Sequence, residues 1–90
     1  MILWFSMACA IKSGVAVIEM DKHYNELNTP KTRTAQFEWA MAEEYRFKAK
    51  EEYSASQFQD AELLAKESIV WMDKAAEQSQ SEDVEKGDSQ

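Results

Sequence analysis

The chain has 90 residues, enough for one small domain, and carries 17 acidic against 10 basic side chains for a formal net charge of -7 at pH 7. Such a surface cannot neutralise phosphates, which argues against non-specific nucleic-acid binding, and it gains nothing from anionic lipid headgroups. With one cysteine there is neither an intrachain disulfide nor a cysteine metal quartet, so a core near the lower size limit must hold without staples.

The chain opens on Met1-Ile-Leu-Trp-Phe-Ser-Met-Ala-Cys9-Ala-Ile-Lys-Ser-Gly14, apolar up to the lone cysteine. This run resembles the end of a bacterial lipoprotein signal, in which a hydrophobic segment and small residues precede a cysteine that becomes the acylated N-terminus. Ala8 stands before Cys9, and Lys12-Ser13-Gly14 reads as a polar exit. Ser6 occupies the position where such signals usually carry Leu, and no basic residue precedes Lys12. A full secretory signal has a positive start and roughly 7–15 apolar residues, so residues 1–8 read as the C-terminal part of a signal that begins upstream of Met1. The expectation is lipidation at Cys9. Ala10 after the cysteine, rather than an aspartate, points to the outer membrane by resemblance to the sorting rule of enteric bacteria. The competing reading makes the same segment a short apolar element packed in the domain's own core, with Cys9 a buried thiol, in a soluble cytoplasmic adaptor. A membrane-spanning helix is disfavoured, because about 20 apolar residues are needed and Lys12 interrupts the run.

After Gly14 the pattern is helical, with Pro30 and Gly87 the only further breakers. A first helix is expected over residues 15–27, where Val17, Met20, Tyr24 and Leu27 recur at helical spacing and Glu19, Lys22 and Glu26 fall opposite. Asn28-Thr29-Pro30 ends it, and Thr29 suits the N-cap of a second helix with Pro30 at its first position. That helix should extend to about Tyr53, its inner face drawn by Ala35, Trp39, Ala42, Arg46, Ala49 and Tyr53. Small residues alternating with aromatics let a neighbouring helix approach closely.

Ser54-Ala55-Ser56 interrupts the pattern, and Ser56 with Gln59 has capping-box spacing, so a third helix is expected from Gln57. Its inner stripe is Phe58, Ala61, Ala65, Ser68, Ile69, Met72 and Ala76, flanked by Leu64, Trp71 and Ala75. The short connection makes helices two and three antiparallel neighbours. The fold class expected is all-α: an antiparallel helical hairpin, with the N-terminal helix completing a two- or three-helix bundle over residues 9–78. Residues 79–90 are polar and acidic, and should form a disordered tail.

The hairpin itself resembles a family. Ala42-Glu-Glu-Tyr45-Arg-Phe-Lys48-Ala49-Lys-Glu-Glu52, followed by Tyr53-Ser54 and then Ala61-Glu-Leu-Leu64-Ala65, is similar to the α-helical domain of unknown function found in small bacterial envelope lipoproteins and ahead of OmpA-like domains. The resemblance covers residues 30–76. It implies a helical hairpin placed just after a lipidated cysteine, a structural or adaptor role, and no catalytic residues.

No residue pattern supplies chemistry of its own. His23 lies between Glu19 and Glu26 at helical spacing, but a structural metal site needs about four protein ligands and a di-iron bundle needs paired Glu-x-x-His motifs. A solvated histidine is expected, with no metal and no cofactor. Glu43-Glu44 and Glu51-Glu52, with Lys48 and Lys50 nearby, read as helix surface rather than acid/base pairs. No nucleophile, base and stabiliser are mutually placed, so the chain is not expected to be an enzyme. What remains is surplus apolar surface. Ala40 and Phe47 project away from the inner face of helix two, and Leu63 and Val70 away from that of helix three. They either pack against helix one and the residues around Ile11, or form an exposed surface for an envelope protein partner.

Overall fold

The computed structural model describes the backbone of residues 2–88 and the side chains of residues 10–80. It is all-α. Helix α1 spans Ile2–Leu27, α2 spans Gln36–Ser54 and α3 spans Phe58–Asp88, with one 3-10 turn, Thr32–Thr34, between α1 and α2. The three helices run up, down and up as a narrow bundle 64 Å long and 16 Å across. No strand occurs among the described residues.

The α2–α3 hairpin closes through small side chains. Ala42 and Ala49 of α2, and Ala61, Ala65, Ser68, Met72 and Ala75 of α3, are all wholly buried. Ser68 Oγ donates to the Ala42 carbonyl at 2.7 Å, a contact that requires the two backbones to lie near the short end of the usual interhelical spacing. The inner face also holds Trp39 of α2 and Ala35 just before its first residue, as the spacing suggests, while Arg46 is only half-buried and Tyr53 is exposed. On α3 the stripe is rotated slightly: Ala75 is inside, and Ala76, Ile69 and Phe58 sit at its edge.

Two helix caps differ from those the sequence suggests. Thr29 does not cap α2. Its Oγ1 accepts the Thr32 N–H at 3.2 Å and so caps the 3-10 turn, and α2 begins at Gln36 without a side-chain cap at Ala35. The turn is further held by Thr34 Oγ1 donating to the Lys31 carbonyl and by Arg33 donating to Asn28 Oδ1 at 2.9 Å. Nor does Ser56 open α3. It has a positive φ of 63°, and its N–H meets the Tyr53 carbonyl while the Gln57 N–H meets the Glu52 carbonyl. That pair of bonds is a Schellman ending, which satisfies the last carbonyls of α2. Gln57 therefore takes over as the residue before α3, and its carbonyl accepts from Ala61 N–H at 2.9 Å.

The first helix begins well before Val15. Gly14 lies inside it, because one glycine costs a helix only about 1 kcal/mol and burial of Ser13 and Ala16 on either side holds the helix against the bundle. The hydrogen it presents in place of a methyl leaves room for Tyr53, whose hydroxyl would sit 3.2 Å from a Cβ at that position. The segment after Cys9 is consequently part of the bundle rather than a polar exit, with Ser13 wholly buried. The side chains of Met1 to Cys9 lie outside the described residues, including the Cys9 thiol itself. At the other end the α3 backbone is helical to Asp88, beyond the boundary that composition suggests at residue 78. No proline or glycine intervenes before Gly87 to stop it. The side chains of residues 81–90, and so most of the expected tail, lie outside the described residues.

Candidate functional site

The seam between α1 and α2 is built from a stack of charged and aromatic groups. Tyr24 of α1 stacks on Trp39 of α2 with ring centroids 5.3 Å apart, and the Arg46 guanidinium lies 4.1 Å over the Tyr24 ring. Arg46 Nε reaches Asp21 Oδ1 at 2.9 Å and Lys50 Nζ reaches Asp21 Oδ2 at 3.0 Å, so both carboxylate oxygens are engaged. The Tyr24 hydroxyl donates to Glu43 Oε2 at 3.1 Å. Burial raises the Tyr24 pKa first, and the Glu43 carboxylate raises it further by favouring the protonated phenol. Trp39, Glu43, Arg46 and Lys50 stand one turn apart on α2, which is why a single α2 face can meet Asp21 and Tyr24. The sequence pattern placed Arg46 on the inner face but gave no signal for its pairing with Asp21.

This cluster locks two helices together; it offers no open cleft. Of the carboxylate pairs, Glu43 and Glu44 divide between a tyrosine hydroxyl and Lys48, the latter at 3.3 Å. Elsewhere Lys66 lies 3.0 Å from Glu62 and holds that carboxyl below the usual range by hydrogen bonding. His23 Nδ1 is 3.2 Å from the Glu19 carbonyl oxygen of its own helix. Among the described residues no three His, Cys, Asp or Glu side chains gather to hold a metal ion.

A 290 Å³ open groove is lined by Glu38 of α2 and by Trp71, Lys74, Glu77 and Gln78 of α3. Lys74 Nζ sits 4.2 Å over the Trp71 ring, and Phe37 packs edge-on against the same ring at 5.7 Å. The Trp71 indole N–H is buried without a hydrogen-bond partner among the described residues. The groove wall mixes both signs of charge, with Glu38 and Glu77 beside Lys74.

The four residues set apart by their outward register are all at the surface: Ala40 is exposed, with Phe47 69%, Leu63 60% and Val70 44% exposed. Helix α1 does not cover them. Phe37 is exposed as well, at 65%. The α1 surface adds Ile11, Val15 and Ile18, so Ile11 is not the core contact that the alternative reading of the N-terminal segment would use. These apolar positions are surplus to a core already closed by Met20, Trp39, Met72 and the alanines. Comparison with protein-family models, curated proteins and solved structures gave no match to this chain.

Proposed function

We propose that this chain is a membrane-anchored envelope lipoprotein, attached through acyl chains on Cys9, that acts as a structural or adaptor helical module. The observation that carries the adaptor role is the apolar surface on the outward faces of α2 and α3, where Ala40, Phe47, Leu63 and Val70 stay exposed although the core is complete without them. Large apolar side chains left in water on a small domain suit a protein partner, and helices offer faces and grooves for one. The anchoring role is supported by the uncharged run that ends in Ala8-Cys9 and by the resemblance of the hairpin to domains of small envelope lipoproteins. Two acyl chains hold a protein stably at a bilayer where one is marginal.

The test is made in a diderm bacterium with the native upstream sequence present. The protein should fractionate with the outer membrane, and Cys9→Ala should leave it there in much smaller amount. A photo-crosslinking side chain at Phe47 and another at Leu63 should then trap the same envelope protein, with the yield at each lost on placing a carboxylate at the other. Recovery of the wild-type chain in the cytosol, or different adducts from the two positions, contradicts the reading.

A further inference from the structure

We propose that the outward face of α1 formed by Ile11, Val15 and Ile18 lies in the interfacial layer of a lipid bilayer, so that the bundle rests along the membrane on a helix face as well as being held by an anchor. This rests on the reading of Cys9 as the lipidated residue and deepens it.

Continuity is the first support. Helix α1 is uninterrupted from Ile2 to Leu27, and Ser13 is wholly buried, so no linker separates Cys9 from the bundle. A bilayer anchor at Cys9 fixes the start of this helix at the membrane surface. Ile18 lies nine residues further along, about 14 Å at the rise of an α-helix.

Geometry is the second. Ile11, Val15 and Ile18 follow one another at intervals of four and three, which places them on one stripe. They are 64%, 50% and 69% exposed, whereas Ser13, Ala16 and Met20 on the opposite side of the helix are buried against the bundle. Lys22 continues the stripe by one more turn and is exposed. Its long apolar stem can lie along the acyl boundary while its ammonium stays in water.

Charge is the third. Lys12 is the only charged side chain before Glu19, and all 17 acidic residues lie from Glu19 onward. The part of the chain that would enter the interface is thus almost free of charge, and the acidic remainder stays in water. A second copy of the chain on the same face would have to bring together two molecules of net charge -7, which opposes it. Among the described residues no helix is long and apolar enough to cross a membrane. Binding of an interfacial helix grows with the apolar area it buries, and a chain of net charge -7 gains nothing from anionic lipid.

The experiment uses the full chain with Cys9→Ala, which blocks both acylation and cleavage and so keeps residues 1–8 identical in every variant compared, and phosphatidylcholine vesicles, which carry no net charge. Co-sedimentation should occur and should be insensitive to salt. Adding Ile11→Glu, Val15→Glu or Ile18→Glu should lower the partition coefficient by about tenfold or more each, since each replaces a buried aliphatic group by a charge. Phe47→Glu on the hairpin should leave it unchanged. All four positions are exposed, and unchanged thermal midpoints establish that the variants fold. Partitioning that ignores the three α1 substitutions overturns the inference. If the lipidated wild-type chain binds vesicles but the Cys9→Ala chain does not, anchoring at Cys9 stands and this inference fails. If Cys9 is found unmodified in cells while the stripe still governs vesicle binding, the anchoring reading fails and the lipid-facing stripe stands. Conversion of a dimer to a monomer by Ile18→Glu without vesicles also overturns it, because the face is then a self-interface.

Discussion

Replacing Ala65 by Phe tests whether the hairpin is held by close approach of small faces. Ala65 is wholly buried, in the same seam where Ser68 Oγ reaches the Ala42 carbonyl at 2.7 Å. A phenyl ring cannot enter a seam that tight without moving the helices apart or leaving its rotamer, and overpacking of this kind costs about 1–3 kcal/mol. The upper end applies, because parting the helices also weakens the Ser68 bond and the contacts of Ala61 and Met72. For a domain of this length, with total stability on the order of 5–10 kcal/mol, a loss near 3 kcal/mol should lower the thermal midpoint by roughly 12–24 °C. Lys66→Phe is the control: Lys66 is 63% exposed and points away from the seam, although its partner Glu62 is only 18% exposed. Losing this partly covered i,i+4 pair costs up to about 1 kcal/mol, still below the loss expected at Ala65. Urea unfolding followed by helical circular dichroism measures both. Equal losses at the two positions would refute the seam, and a large loss at Lys66 alone would mean that α3 faces the other way.

Ser56 holds a left-handed backbone conformation that glycine adopts without steric cost. Ser56→Gly should therefore stabilise the protein by about 0.5–1 kcal/mol in the same unfolding assay, and a loss would refute the Schellman ending. Gly14→Ala should also stabilise, by about 0.5 kcal/mol, since helix propensity favours alanine and the Tyr53 hydroxyl 3.2 Å from the new Cβ ends a flexible, exposed side chain that can yield. Tyr24 has a pKa raised above its ordinary 10.0 by burial and by Glu43, so its contribution is present below that ordinary value and is lost as pH rises through the raised folded value. Tyr24→Phe should remove this alkaline loss, measured as unfolding free energy against pH, and an unchanged alkaline limb would show that the Tyr24 pKa is the same in the folded and unfolded chain, against the raised value.

Helical periodicity made much of the bundle legible. Val17, Met20, Tyr24 and Leu27 on α1, Ala35 at the cap of α2, and Trp39, Ala42 and Ala49 on α2 lie against the core as their spacing requires. The helix ends were less legible because their signals are ambiguous in isolation. Ser56 with Gln59 fits a capping box, yet a two-bond ending of α2 claims Ser56 first, and only the backbone path decides between them. Gly14 reads as punctuation, but a glycine can equally mark where another side chain comes close, and here Tyr53 does. The outward register of Ala40, Phe47, Leu63 and Val70 was readable from the spacing; whether another helix covers them was not, because that depends on where α1 docks. Asp21 with Arg46, 25 residues apart in the chain, carried no local signal.

The account turns on Cys9, and the most direct measurement is mass spectrometry of the N-terminal peptide from protein extracted from membranes of a diderm bacterium expressing the gene with its upstream region. The peptide should begin at Cys9 and carry the mass of its acyl chains, and Cys9→Ala should abolish both the cleavage and the mass shift. An intact, unmodified peptide beginning at Met1, from protein found in the soluble fraction, would contradict it.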